Sequence, residues 1–431
     1  MRNANLSRIG LITLYGFLLL AWAATGAVIY LRVFFITTIL LLGSYIWNFL
    51  SDRGIQFRRS ARSLRTSVGR IFDERYEITN SSLLPSPWLE IKNNSSLPHK
   101  SGSRVIASIG AKNQRTYISR TWITKRGAFN LGPTSLISWD PFGIFSKLRV
   151  IPAGSTLLVL PYTVEIPYFP FPKGILPGGK DIFQRTLDIT PHATGVREYM
   201  PGDPMKRIHW PSTARQGRFI VKEYELDPQA EVWFFLDANQ TSQFSESSTS
   251  QLELEDDFVI QRRTQIKLPH DSFEYGISTT ASLVKYFLRQ KRSVGMISQA
   301  SKVTVIQADR GDRQLNRILE MLAFIKADGN LPLDGSLDMF SKLLPMGSAC
   351  FLITPEITSS LVVSIEELLR RNLQPSLIYI ADQKEKLVQS HSNLLHSLNL
   401  RKIPIFNIYC NENLDDQLTR FQPFGSSRYQ N

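Results

Sequence analysis

The chain has 431 residues, 43% hydrophobic and 20% charged, with a formal net charge of +13. That length accommodates two or three domains, and that balance excludes an intrinsically disordered chain. Cys350 and Cys410, the two cysteines, each sit in an apolar run, which excludes a disulfide framework and a cysteine zinc site and reads as two reduced core residues.

The six histidines are scattered, and His391 and His396 are five apart, off one helical face, which argues against a histidine metal site. The positive charge is concentrated at one end. Residues 1–70 hold nine arginines against the single acid Asp52, a net +8 that leaves +5 for the rest. A nucleic-acid partner would need a basic face on a folded domain with stacking aromatics, and the pattern instead reads as a membrane flank.

Two uncharged apolar runs open the chain. Ile9–Leu31 is long enough to span a bilayer, Arg32 interrupts, and Val33–Leu50 supplies a second span, which makes residues 1–52 a transmembrane helical hairpin. A secretory signal cleaved near Ala21–Ala23 is the rival reading, but the apolar run continues past that point and a second follows at once. Residues 53–70 read as a basic juxtamembrane segment: six arginines lie between Ser51 and Arg70. By the positive-inside rule this segment, both termini and the soluble bulk are expected in the cytoplasm, with the protein multi-pass in the cell membrane. Contact with anionic head groups explains the arginines without a recognition role.

Residues 71–168 change texture. Short runs rich in Ile, Val, Thr and aromatics ("RVIASIGA", "RTYISRTWIT", "TSLISW", "STLLVLPY") are punctuated by Lys125-Arg126-Gly127, Gly132-Pro133 and Asp140-Pro141-Phe142-Gly143. Strands at that spacing predict a small β-sandwich. A Pro/Gly linker follows, and with the next segment it occupies 169–230. Gly174, Gly179 and Lys180 match G-x-x-x-x-G-K, but Pro177 lies inside the match and Asp181 replaces the hydroxyl that would hold magnesium, so it is read as linker.

Residues 231–431 alternate strand and helix. "VWFFLD" reads as a buried parallel strand ending in Asp237. Ile277, Ala281, Val284 and Leu288 recur at helical spacing, as do Leu315, Ile318, Leu322 and Ile325. "SVGMIS", "KVTVIQ", "ACFLIT", "PSLIYI" and "IPIFNIY" continue the strands, with the helix "LVVSIEELLRRN" among them. The expectation is a doubly wound α/β domain with a mostly parallel sheet. Such folds bind ligands at the carboxyl ends of their strands, where Asp237, Asn239 and Thr241 carry three oxygens suited to magnesium. The plainer reading has Asp237 capping the strand end or the next turn. The polar insert "NQTSQFSESSTSQLELEDD" beyond it is read as a loop.

The stretch "VREYMPGDPMKRIHWPSTARQGRFIVKEYE", Val196–Glu225, closely resembles the signature of the domain of unknown function 58 family, and Lys125–Phe145 resembles that family's segment ending in Asp-Pro-Phe-Gly. The resemblance implies a C-terminal half related to von Willebrand factor A domains. It also implies a bacterial or archaeal membrane protein of the kind encoded beside MoxR-type AAA+ ATPases and sometimes transglutaminase-like proteins. The implied role is protein interaction in ATPase-linked maturation or assembly. His209 stands where the signature usually has Asp, and Pro211 follows Trp210 where a helix former is usual. An A-type metal site uses D-x-S-x-S with a later Thr and Asp. Here the first loop is Asp237-x-Asn239-x-Thr241, Leu331 falls at the Thr position and Thr354-Pro355 at the Asp position, so the site reads as degenerate and no cofactor is expected.

Within the signature, "VREYM" reads as a strand and Pro201-Gly202 as a turn. Asp203 caps a short helix begun by Pro204, Trp210 is its expected buried anchor, and Pro211 ends it. Ser212 to Arg215 form a second short turn closed by Gly217, and "RFIVKEYE" returns as a strand. One reading is a clasp between domains held by Trp burial and ion pairs. The other is a partner-docking surface carried by Arg197, Glu198, Gly202, Asp203, Arg207, Trp210 and Arg215. An enzyme, in its least unfavourable form a membrane-bound hydrolase using Asp203 and His209, lacks a nucleophile with a positioned base. A purely structural membrane protein is the third class.

Overall fold

The computed structural model describes residues 2–98, 101–170, 193–200, 205, 208–224, 231–245, 268–382 and 392–420. The chain divides into two compact units, the first built mainly from Met1–Tyr162 and the second from Thr163–Ser248, Lys267–Ile318 and Lys326–Asn431.

Helix α1 runs Arg2–Thr25 and α2 runs Val28–Arg53. The break falls at Gly26-Ala27 and not at Arg32. Gly26 takes the left-handed φ of 65° and its amide reaches the Trp22 carbonyl at 2.8 Å, a glycine termination. Arginine is a good helix former, and Arg32 lies inside α2. Among the described residues α2 is the one helix long and apolar enough to cross a membrane; the apolar helical stretch Thr13–Thr25 is shorter. The two helices touch where the Tyr15 hydroxyl donates to Thr38 Oγ1 at 2.7 Å.

The last third of α2 is a docking surface. Ser44, Asn48, Ser51 and Asp52, one polar face at helical spacing, are all buried. Asp52 accepts the Ser138 hydroxyl at 3.1 Å and pairs with Lys147 at 2.8 Å, while Trp47 Nε1 donates to the Pro85 carbonyl at 3.2 Å.

Ten strands complete the first unit: β1 (Ile55–Ala61), β2 (Arg65–Ser67), β3 (Ile71–Asn80), β4 (Trp88–Asn93), β5 (Arg104–Ile106), β6 (Gln114–Trp122), β7 (Gly127–Leu131), β8 (Thr134–Trp139), β9 (Ser146–Ile151) and β10 (Ser155–Leu160). They form sheets ordered β1-β3-β6, β2-β10-β7 and β5-β4-β8-β9. Alternate residues of β3 point inward, as a half-buried strand requires. One core gathers Ile55, Ile78, Leu89, Ile91 and Leu136; a second gathers Phe72, Leu131, Leu157 and Val159. Residues 53–70, read from sequence as a juxtamembrane tail, are therefore corrected. They carry β1 and β2 of this sheet-rich region, because β1 pairs antiparallel with β3 from Ile55↔Asn80 to Ala61↔Glu74.

In the second unit β11 (Ala193–Glu198), α3 (Trp210–Gln216) and β12 (Ile220–Tyr224) precede the main sheet. That sheet uses β13 (Val232–Leu236), β14 (Val294–Gln299), β15 (Val303–Asp309), β16 (Ala349–Thr354), β17 (Gln374–Ala381) and β18 (Ile405–Tyr409) in the order β15-β14-β13-β16-β17-β18. The helices are α4 (Ser272–Arg289), α5 (Gly311–Phe324), α6 (Leu333–Phe340), α7 (Ser359–Arg370), α8 (Ser392–Leu400) and α9 (Leu414–Thr419). All its pairings are parallel except β14 with β15, so the sheet is mixed. A parallel pair needs a crossover of a dozen residues, and β14 and β15 are separated by a short turn.

Helices cover both faces. Trp233, Phe235, Leu352 and Leu377 pack with Leu337, Ile365 and Leu395 of α6, α7 and α8. On the opposite face Gly276 of α4 approaches Leu236, Ile353 and Ile380 so closely that an added Cβ would just make contact. The start of the expected linker belongs to this unit: Phe169 is fully buried, with ring centroids 5.0, 5.7 and 5.9 Å from Phe406, Phe351 and Phe287. The Gly174–Lys180 match lies outside the described residues, as does the polar insert from residue 246.

Candidate functional site

The carboxyl edge of the mixed sheet is closed by its own hydrogen bonds. Asp237 follows β13 and is 4% exposed. Its Oδ1 accepts the Asn239 amide at 3.0 Å and its Oδ2 accepts the Thr354 hydroxyl at 2.7 Å. Burial, opposed by those two donors and reinforced by Glu356 and Asp334, pushes the Asp237 carboxyl up to about 6. Asn239 turns inward on its loop, Oδ1 accepting from Thr241 N at 3.3 Å and Nδ2 donating to Ser242 Oγ at 3.1 Å. Thr241 itself is exposed.

The neighbouring loop seals this edge. Gln240 N reaches the Gly329 carbonyl and Gly329 N the Ala238 carbonyl, both at 2.9 Å. A Cβ on Gly329 would lie 2.2 Å from the Gln299 carbonyl oxygen, so only glycine fits there. The Asp237 and Asn239 side-chain oxygens are thus spent on a local turn network, to which Thr241 contributes its amide while its own side chain is exposed. Thr354, the residue at the position of the later A-type Asp, supplies a hydroxyl donor to Asp237 where a metal would need a carboxylate. Among the described residues no group of three or more His, Cys, Asp and Glu side chains gathers. These residues do not fit a magnesium ion, and no chemistry is routed through one. Both cysteines are buried and free, and burial pushes the Cys350 thiol up to about 12.

The signature segment forms a two-stranded ribbon with a short helix. β11 and β12 pair antiparallel, with Arg197↔Val221 and Glu198↔Ile220 in register. Between them α3 begins at Trp210 with Pro211 in its first turn and ends at Gly217 in the left-handed conformation, whose amide reaches the Thr213 carbonyl at 2.9 Å. Pro211 therefore starts a helix here and does not end one, which suits a residue lacking an amide hydrogen. The helix is tied back by Ile220 N donating to Thr213 Oγ1 at 3.1 Å and by His209 N donating to the Ile220 carbonyl at 2.7 Å.

Trp210 is corrected most sharply. It is 62% exposed, and the buried anchors are Ile208, Ile220 and Val221. Met200, Met205 and Phe219 are exposed on the same ribbon, with Tyr199 and Phe219 rings 6.1 Å apart, edge to face. None of these three was singled out from sequence; apolar residues beside turn residues carry no mark of which side they face. Glu198 pairs with Arg218, both exposed. Arg215 lies in the last turn of α3 and is exposed. His209 Nδ1 lies 2.7 Å from Ser212 Oγ, one turn ahead. Arg197 is placed on β11, with its side chain outside the described set. Gly202, Asp203, Pro204 and Arg207 also lie outside the described residues.

The two units thus define a multi-domain protein with an N-terminal apolar helix, a sheet-rich region and a mixed-sheet α/β region. Residues 195–257 match the family described as Protein of unknown function DUF58. The chain is also 22% identical over 211 residues to the "Uncharacterized protein YeaD" of Bacillus subtilis (strain 168), covering 48% of this chain and 45% of that one. The chain thus spans about half the length of that curated relative. These two similarities support DUF58 membership. Among solved structures, the CARDB domain of a Pyrococcus furiosus protein aligns with 24% of the chain at 8% identity and a TM-score of 0.19, and the secreted serine protease VesC of Vibrio cholerae with 29% at 8% identity and 0.17. The CARDB alignment covers 91% of that domain and the VesC alignment 26% of that protein. Scores that low carry no argument about fold or function.

Proposed function

We propose that this chain is a DUF58-type, membrane-anchored protein-interaction factor, and that the signature ribbon is its docking surface. It is a non-enzymatic factor with its soluble units in the cytoplasm. The observation that carries the reading is the exposure of Trp210, with Met200, Met205 and Phe219 of the same segment also exposed. Trp, Met and Arg are among the residues enriched in interfaces, and a large exposed ring is a typical binding anchor. At the carboxyl edge of the mixed sheet, where such folds place ligands, Asp237 is already satisfied by the Asn239 amide and the Thr354 hydroxyl, which favours interaction over catalysis. The sheet order, with its antiparallel pair at the β15 edge, supports a von Willebrand factor A-like fold. The partner that the family resemblance suggests is a MoxR-type AAA+ ATPase acting in maturation or assembly.

The test uses the full chain in detergent and a purified MoxR-type ATPase from the same organism. Binding is measured with wild type, Trp210→Ala and Arg215→Glu. Loss of Trp210 should weaken binding by about thirtyfold or more, an effect on the order of 2 kcal/mol for an interface anchor. Equal affinities for all three would remove the ribbon from the interface, and no binding by wild type would remove this partner.

A further inference from the structure

The Asp140–Gly143 turn, the Asp-Pro-Phe-Gly of the sequence, has no part in the function above, and its position is unusual. Pro141 and Phe142 form one wall of a groove of about 430 Å³ whose other wall is Ile36, Ile39, Leu40 and Gly43 of α2. Phe142 is 63% exposed, as are Ile36 and Ile39 at 65% and 71%. This contact falls in the middle of α2, far from its end at Arg53.

That placement leaves two alternatives. If the turn lies outside the bilayer, only Val28–Phe35 of α2 remains to cross, roughly 12 Å of helix against a hydrocarbon core of about 30 Å. If Trp47 marks the interface instead, Val28 to Trp47 supplies roughly 29 Å, a full span. The turn then lies roughly 5–15 Å inside that level.

The Asp140 carboxylate and the amides of Asp140, Phe142, Gly143 and Phe145 are paired within the turn or with α2. Asp140 is fully buried. Its Oδ1 accepts Phe145 N at 2.6 Å, and its Oδ2 accepts Phe142 N at 3.0 Å and the Ser44 hydroxyl. Gly143 N reaches the Asp140 carbonyl at 3.1 Å, Asp140 N the Phe145 carbonyl at 3.2 Å, and Pro141 has no amide hydrogen. Irregular backbone is tolerated at membrane depth only where protein covers it or it lines a water-filled cavity, and here α2 flanks one side of the turn while Asp140 beneath it is fully buried. Trp139 ends β8 immediately before the turn and stands opposite Trp88 of the neighbouring β4, where an interfacial aromatic pair belongs.

We propose that this turn is a membrane-inserted wedge: Pro141 and Phe142 enter the cytoplasmic leaflet beside α2, and lipid acyl chains fill the groove between them. The β unit is then seated on the bilayer and not hung from a flexible stalk. This rests on the membrane-anchor part of the proposed function.

The test places nitroxide labels on the full chain in phosphatidylethanolamine–phosphatidylglycerol vesicles, at Ile39→Cys, Phe142→Cys and the exposed sheet position Ile118→Cys; Pro141→Cys repeats the measurement should Phe142→Cys disturb the turn. The wedge requires the labels at 39 and 142 to collide with oxygen and be shielded from a water-soluble nickel chelate, each with an oxygen-to-nickel ratio at least fivefold that at 118. A label at 39 in lipid with those at 142 and 141 in water overturns the wedge and leaves the anchor standing. Labels at 39 and 142 both in water overturn the anchor and the wedge together.

Discussion

Arg59 meets Glu74 edge-on, Nε and Nη2 donating to the two carboxylate oxygens at 2.7 and 2.9 Å. Glu74 is fully buried and Arg59 nearly so, and the guanidinium also reaches Asn93 Oδ1 at 3.2 Å and Thr134 Oγ1 at 3.3 Å. The pair joins β1 to β3 and ties both to β4 and β8. A carboxylate left there without its partner would be an uncompensated buried charge. Arg59→Ala is therefore expected to destabilise the first unit by about 3–5 kcal/mol. Hydrogen exchange of β3 peptides in the full chain reads this locally. Protection unchanged from wild type would mean the pair is not an effective tie.

Asp237 titrates near 6 in the folded protein, well above an ordinary aspartate. Between pH 4 and 6 the folded state holds the extra proton, so stability falls as pH rises through that window. The contribution is fully present below the unfolded value and lost above 6. Asp237→Asn removes the proton linkage, because the Thr354 hydroxyl can donate to the Glu356 carbonyl at 3.0 Å and accept from the new amide. The variant should be more stable than wild type at pH 7, by up to roughly 3 kcal/mol, and flatter in pH. Denaturant midpoints at pH 4, 5, 6 and 7 decide it; parallel curves for the two proteins would mean Asp237 does not titrate in that range.

Phe169 fills the aromatic cluster between α4 and the sheet, and its segment is held by Val164 N donating to Ser282 Oγ at 2.9 Å and by Lys285 and Arg289 on Glu165. Phe169→Ala should cost about 3–5 kcal/mol through the cavity it leaves. Glu165→Gln should cost less than about 1 kcal/mol, since its pairs are solvent-exposed. Thermal unfolding of both variants ranks them; equal shifts would mean the ion pairs and not the ring hold the segment.

Trp210 and Ile220 sit on one ribbon in opposite environments, 62% and 3% exposed. Trp210→Ala should leave the melting temperature almost unchanged and weaken partner binding. Ile220→Ala should destabilise by about 2–5 kcal/mol. A large loss of stability on Trp210→Ala would return the ring to a structural role and count against the docking surface.

Much of this organisation is legible in the chain. The apolar N-terminus, the short strands up to Leu160 and the strand–helix alternation beyond Glu231 each have their own period, and "TSLISW" coincides with β8. Ile277, Ala281, Val284 and Leu288 are all buried along α4 as their spacing predicts. The strand–return strand reading of the signature matches β11 and β12. The departures share a cause: a residue's type does not fix its role. Arg59 belongs to the basic run after α2 yet is nearly buried on a strand, and Trp210 is of a core-forming type yet faces solvent.

By itself, then, the sequence determined the elements, since periodicity, glycine and proline act within a few residues of where they stand. Only the tertiary structure decided which elements meet: that β1 pairs with β3, that Asp237 is closed off by Thr354, that Trp210 stays outside, and that the Asp140 turn rests on the middle of α2. Each of these depends on a partner distant along the chain, in three of the four cases as a contact made and in that of Trp210 as one withheld. Periodicity marks which face of a helix or strand turns inward, but charge pairing and the covering of a side chain outside such a repeat depend on these distant encounters.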